Sequence, residues 1–249
     1  ILSAGMKSVF KSRPDKVIGI VNGLNFDEWN PETDTYIAAN YTKNNIEKKE
    51  INRKALLEEC GIDEKFLARP VYGMVTRLVE QKGIALILKI FEKFMGEGVA
   101  FILLGNGDPV YRDRFLALQK KYQGQFHFDY TFNKPLGHRI FAGVDVFLMP
   151  SRYEPCGITQ MQSMKYGTLP LANKTGGLVD TIEHDVTGFI FNAYHASAFY
   201  NMIHYANSVF ENKSKWNTMM IQAMEQDFSW HKSVQKYIDL YRSLSGKNV

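Results

Sequence analysis

"VDVFLMPSRYEPCGITQ", residues 144–160, is an apolar run that ends at Pro150 and opens into a segment carrying an acid, a thiol, a glycine, a threonine and an amide. An apolar stretch too short for a helix and hydrophobic on both faces suits a strand covered on each side, as in a parallel sheet. The pattern repeats outward from this stretch. Upstream, "PVYGMVTR", "VAFILLGNG" and "FHFDYTF" read as strands, alternating with helical "GIALILKIFEKFM", "DPVYRDRFLALQKKY" and "HRIFAGV". Downstream, "LPLANK" and "TGFIF" read as strands, and "TQMQSMKYG" and "GLVDTIEH" as helices. This alternation predicts an α/β fold, a doubly wound, Rossmann-like parallel sheet, followed from about Ala196 by a wholly helical segment. Nearer the start, "VIGIV" (17–21) before the turn "NGLN" predicts a further strand. "IEKKEINRKALLEECG" predicts a helix with Ile51, Ala55, Leu56 and Leu57 on its apolar face, closed by Gly61.

Composition narrows the classes of function. With 45% hydrophobic and 22% charged residues in 249, the chain has the material for one large or two small globular domains. The net charge of +4 arises from 30 basic residues scattered among 26 acidic ones, which argues against nucleic acid as a partner. Cys60 and Cys156 lie far apart without CxxC spacing, so neither a disulfide framework nor a zinc site is expected, and a reducing compartment fits. No run approaches the roughly 18 apolar residues of a membrane span. The sequence begins at Ile1 rather than Met, which reads as a processed chain or a piece of a longer one.

In doubly wound sheets, ligands sit beyond the carboxyl ends of the strands. The loops to read are therefore "TRLVEQKG" (76–83), "GNGDP" (105–109), "TFNKPLG" (131–137), "SRYEPCGITQ" (151–160) and "KTGGLVDT" (174–181). Arg77 and Lys82 in the first suit a diphosphate, a guanidinium forking onto two oxygens and an ammonium adding a point charge; elsewhere they would be a solvated surface pair. Glu154 precedes Pro155, which pushes its backbone toward an extended conformation and lets the carboxylate project. It would then accept from sugar hydroxyls beside the amides of Gly157, Ile158 and Thr159, or else cap a helix or pair with Arg152. Gly176 and Gly177 before a helix form a phosphate cradle or plain turn geometry. Cys156 reads as a small packed residue and not a nucleophile, because no histidine lies near it in sequence. His138 reads as a helix-start residue.

Taken together, "IVNGLNFDEWNPETD", "VTRLVEQKG", "LLGNGDP", "GHRIFAGVDVFLMPSRYEPCGITQMQSMKYGTLPLANKTGGLVDT" and "MEQDFSWHKSV" resemble the bacterial glycogen synthase and plant starch synthase family, retaining glycosyltransferases with the two-domain GT-B fold. The resemblance runs from about residue 17 to the end. It implies transfer of glucose from ADP-glucose to the non-reducing end of an α-1,4-glucan. By position it assigns Arg77 and Lys82 to the donor diphosphate and Glu154 to the glucosyl hydroxyls. The amides of Cys156, Gly157 and Ile158 stand beside Glu154, Thr159 lies near phosphate and ribose, and Asn22 faces the sugar. Phe132 falls where a tyrosine commonly meets the adenine, keeping the stacking face without the hydroxyl. Gln162 departs from relatives that carry a second glutamate for the ribose.

The acceptor glucan, the early lysine-x-glycine-glycine turn and a catalytic-site histidine belong in that family to an N-terminal domain that this sequence does not contain. The resemblance thus implies the C-terminal half of a GT-B fold. Residues 1–16 are a remnant or linker, 17–228 the ADP-glucose domain, and 229–249 a helix expected to pack on the other half through Trp230, Val234, Tyr237, Ile238 and Tyr241. Departure of ADP builds negative charge on its diphosphate, which Arg77, Lys82 and the Gly176 and Gly177 amides would neutralise with no metal or other cofactor. The cytoplasm of a bacterium or a plant plastid is the implied location, without a membrane partner. A non-catalytic module that only binds ADP or an ADP-sugar, and a transferase using UDP-glucose, are the alternatives.

Overall fold

The computed structural model describes residues 6–245. Its centre is a sheet of six parallel strands: β1 (Val71–Val75), β2 (Ala100–Leu104), β3 (Phe126–Asp129), β4 (Val146–Met149), β5 (Leu169–Asn173) and β6 (Phe189–Phe191). They lie side by side in the order β3-β2-β1-β4-β5-β6. The all-apolar strands are the interior ones: Val71, Tyr72, Phe101, Ile102, Phe147 and Leu171 are almost wholly buried because helices cover both faces. Those helices are the crossovers α3 (Ile84–Gly96), α4 (Pro109–Lys121), α5 (Lys134–Gly143), α6 (Thr159–Lys165) and α7 (Gly177–Thr181). From β1 the chain winds outward to β3, then returns to the other side of β1 as β4. Successive crossovers therefore leave β1 and β4 in opposite directions, and a crevice opens above their carboxyl ends.

Before the sheet come α1 (Lys7–Ser12) and α2 (Lys49–Glu59), and after it α8 (Ala196–Glu211), α9 (Lys213–Met224) and α10 (Trp230–Ser245). Two expectations are corrected here. Residues 17–21 form no strand: Val17 and Ile18 are exposed, and pairing in this region is limited to a bridge between Leu24 and Ser229. A β-branched run fits a pleated surface but becomes a strand only beside a free edge, and no edge of the sheet reaches this segment. In α2, Ile51 faces outward, and the buried stripe at three- and four-residue spacing is Lys49, Asn52, Arg53, Leu56 and Leu57. Its polar members have partners: Arg53 pairs with Asp145 at 2.9 Å, and the Asn52 amide bonds Ala39.

The final helix, α10, and the residues just before it lean on the early segment around Val21 and Leu24. Ser233 Oγ donates to the Val21 carbonyl at 2.8 Å, and the Leu24 N–H donates to the Phe228 carbonyl at 2.6 Å. Trp230, Val234, Tyr237, Ile238 and Tyr241 remain exposed along it.

Candidate functional site

The loops leaving β1, β2, β3 and β4 build the crevice, and the one leaving β5 presses on it from behind. After β1, Leu78 is buried and zips onto the next loop, donating its N–H to the Asn106 carbonyl and accepting from the Asp108 N–H. Arg77, beside it, is exposed and has no ion-pair partner among the described residues. Gln81 then fastens this loop to the one after β4: its carbonyl accepts from the Arg152 N–H at 2.8 Å, and its side chain donates to the Tyr153 carbonyl at 3.1 Å. The result is a contact between groups 72 residues apart, Lys82 Nζ to Glu154 Oε2 at 2.5 Å. Ser151 Oγ also donates to this carboxylate at 3.4 Å. The Glu154 side chain is 9% exposed and that of Lys82 19%, so the pair is largely shielded from water.

The opposite flank of the loop is pressed by the glycine pair. Gly176 has φ +48°, and a Cβ there would stand 1.9 Å from the Glu154 carbonyl oxygen, so only glycine fits. Gly177 is buried, and its N–H donates to that same carbonyl at 3.1 Å. The expectation of an open amide at Gly177 is therefore corrected: its role here is to brace the Glu154 loop. The Cys156, Gly157, Ile158 and Thr159 N–H groups, by contrast, have no protein acceptor among the described residues.

Two hollows meet at this crevice. The larger, about 500 Å³, is walled by Trp29, Phe132, Phe141, Thr76, Arg77 and Gln162. The smaller, about 180 Å³, is lined by Arg77, Lys82, Ser151 and Thr159. Val75, Thr76 and Arg77 line both, so the end of β1 and the residues after it divide a chamber walled by Trp29, Phe132 and Phe141 from one that holds Lys82, Ser151 and Thr159 over an apolar floor of Phe147, Leu148 and Met149. Phe132, 89% exposed, offers a free ring face at the rim. The larger volume is in the range of small-molecule sites. Of the sequence-predicted residues, Arg77, Lys82, Glu154, Phe132 and the 156–159 loop thus come together, with Gly176 and Gly177 behind them. Asn22 does not: it is exposed and lines neither hollow, lying in the segment that packs against the start of α10.

Sequence reading missed the cluster behind the aromatic wall. His138 is not a helix-start residue; it sits within α5, is buried, and its Nδ1 lies 2.7 Å from Asp34 Oδ2, 104 residues away. Tyr166 OH donates to the same oxygen at 2.5 Å, and Trp29 stacks on the imidazole with centroids 3.9 Å apart. Burial pushes the Asp34 carboxyl up, but the bonds from His138, Tyr166 and the Tyr36 N–H outweigh it and hold it below its ordinary value. Burial, reinforced by Asp34, raises the Tyr166 phenol. The cluster anchors Trp29, whose ring lines the larger hollow. "WNPETD" announces a turn, but nothing in it names a partner so far along the chain. Among the described residues no group of three or more His, Cys, Asp or Glu could hold a metal ion, and no helix is long and apolar enough to cross a membrane.

Residues 61–225 match the family of Glycosyl transferases group 1. Among curated proteins, the glycogen synthase of Thermodesulfovibrio yellowstonii is 40% identical over 98% of this chain and 49% of its own length. That of Clostridium beijerinckii is 39% identical over 98% of this chain and 52% of its own. The chain spans about half the length of the curated relatives it matches. Among solved structures, the catalytic domain of starch synthase IV from Arabidopsis thaliana, bound to ADP and acarbose, superposes with a TM-score of 0.90 at 32% identity. The match covers 98% of this chain and 52% of that one.

Proposed function

Because the chain belongs to the family of Glycosyl transferases group 1, we propose that it is the nucleotide-sugar-binding half of a glycogen or starch synthase. In this reading it holds ADP-glucose for retaining transfer of glucose to the non-reducing end of an α-1,4-glucan. The observation that carries the reading is Arg77, without an ion-pair partner among the described residues, lining both the hollow walled by Trp29 and Phe132 and the one that holds Lys82. A nucleoside diphosphate has this shape and charge order: a flat base against Phe132 and Trp29, then a diphosphate on the cations. The ADP bound in the 32% identical starch synthase supports the same choice of nucleotide.

Cleaving the glucosyl-phosphate bond places positive charge at the anomeric carbon and added negative charge on the departing diphosphate. Lys82 is held by Glu154 before the reaction, so it stabilises that charge with little reorganisation, and the exposed Arg77 adds a second cation as the donor settles against it. Glu154 has two tasks in this account. It orients Lys82 in the free protein, and with donor present it accepts from glucosyl hydroxyls while Lys82 is shared with phosphate. The two cations do the neutralising that a divalent ion does elsewhere, so donor binding needs no metal. The glucan acceptor is assigned to the part of the whole protein outside this chain.

Calorimetry of the 249-residue chain with ADP and UDP, with and without EDTA, tests the donor assignment. Tight ADP binding that is weaker for UDP and indifferent to EDTA is expected, while equal affinity for the two nucleotides or none for either refutes it. Glucan elongation from ADP-glucose by the whole protein, lost in Arg77→Ala, tests the transfer.

A further inference from the structure

Gln160, in the first turn of α6, is fully buried, and its side chain reaches back to the loop before the helix. Nε2 lies 3.2 Å from the Cys156 carbonyl, 3.1 Å from the Gly157 carbonyl and 3.1 Å from Thr181 Oγ1. Thr181 Oγ1 itself donates to the Gly177 carbonyl at 2.8 Å and so presents a lone pair to Gln160. Exchanging the amide's nitrogen and oxygen would set an acceptor against these three oxygens, so the network settles its orientation. Oε1 is left buried with no partner among the described residues. An orphaned buried acceptor is a cost that a folded protein keeps only where something else is gained.

The gain lies in the peptide planes. No cis peptide is present among the described residues, and in a planar trans peptide the N–H points opposite to the C=O. Drawing the Cys156 and Gly157 carbonyls toward Gln160 therefore turns the Gly157 and Ile158 N–H groups the other way, and neither has a protein acceptor among the described residues. The turn needs the left-handed conformation of Gly157, φ +74°, followed by Ile158 at φ −123°. Successive N–H groups in such a turn form a concavity that suits an oxygen carrying negative charge or a lone pair. From Ile158 the chain enters Thr159, which lines the hollow shared with Arg77 and Lys82.

We propose that Gln160 is a positioning residue: its side-chain amide sets two peptide planes so that the Gly157 and Ile158 N–H groups meet donor oxygens beyond the α-phosphate. It touches no donor atom itself and links the loop to α7 through Thr181. This rests on the ADP-sugar reading above.

The test compares the 249-residue chain with Gln160→Met, which keeps length and loses the donor, by calorimetry against AMP, ADP and ADP-glucose. The affinity for ADP-glucose is expected to fall roughly 10- to 100-fold, with AMP changed less than about 2-fold. If ADP falls as well, the oxygens met are on the β-phosphate; if ADP-glucose alone falls, they are on the sugar. Either pattern supports the proposal. Equal losses for all three ligands, as general damage would produce, or no loss for any, overturn it. Amide hydrogen exchange on the unmutated chain gives a second arm that needs no variant to fold. Protection of Gly157 and Ile158 by ADP-glucose and not by AMP is expected, and its absence overturns the proposal. An unmutated chain that binds none of the nucleotides overturns the donor reading itself, whereas normal binding by both proteins defeats the role of Gln160 alone.

Discussion

Replacing Lys82 with methionine separates two effects that share one residue. In the parent, Nζ and the Glu154 carboxylate meet at 2.5 Å with side chains only 19% and 9% exposed. Removing one member of a buried pair leaves the other charge without compensation, which typically costs about 3–5 kcal/mol. The partial exposure of Lys82 and the Ser151 hydroxyl within reach of Glu154 reduce this, so about 2–3 kcal/mol is expected. For a chain of this length that is a fall of roughly 5–10 °C in Tm. The double variant Lys82→Met, Glu154→Gln removes the uncompensated charge as well as its partner and is expected to recover most of the loss. Its donor binding and turnover stay low, because both ligand-facing groups have gone. Urea melts of parent, both single variants and the double variant complete the cycle. The reasoning fails if Lys82→Met lies within about 0.5 kcal/mol of the parent, or if the double variant is no more stable than Lys82→Met.

Arg77→Ala should behave in the opposite way. With no ion-pair partner to strand, stability stays within about 0.5 kcal/mol, while turnover of the whole protein falls roughly 10²- to 10³-fold; thermal melts beside a steady-state glucan assay would show any departure. Phe132→Ala should weaken ADP by about 1–3 kcal/mol through lost stacking, and Phe132→Tyr should leave it unchanged; calorimetry reads both. Burial pulls the Lys49 ammonium down to about 7, where it donates to the Phe141 and Ala142 carbonyls and Thr168 Oγ1. A lysine in an unfolded chain titrates near ~10.4. Between these values the unfolded chain holds a proton that the folded one lacks, so this group makes stability rise with pH by about 1.4 kcal/mol per unit. Urea melts at several pH values from neutrality to mildly alkaline should show that slope flattened in Lys49→Gln, and identical slopes would contradict it.

Much of this protein is written in local pattern. From β1 to β6 the apolar runs became strands of the sheet, and the amphipathic intervals between them became crossover helices, because burial on two sides or one is a property of the residues themselves. The loops at the strand ends were legible for the same reason, and with them Arg77, Lys82, Glu154 and Phe132. "VIGIV" shows the boundary of such reasoning: its residues suit a strand, but pairing needs a neighbour, and the order β3-β2-β1-β4-β5-β6 leaves none beside it. Lys82 and Glu154, 72 positions apart, meet because β4 returns to the flank of β1. Asp34 finds His138 across 104 residues through the packing of a turn on α5. The dipeptide at 176–177 predicts glycine's freedom, yet only the approach of the Glu154 carbonyl makes its amide a brace. Side-chain chemistry and periodicity are carried by the chain one residue at a time, whereas which groups face each other is decided when the sheet closes and distant segments compete for the same space.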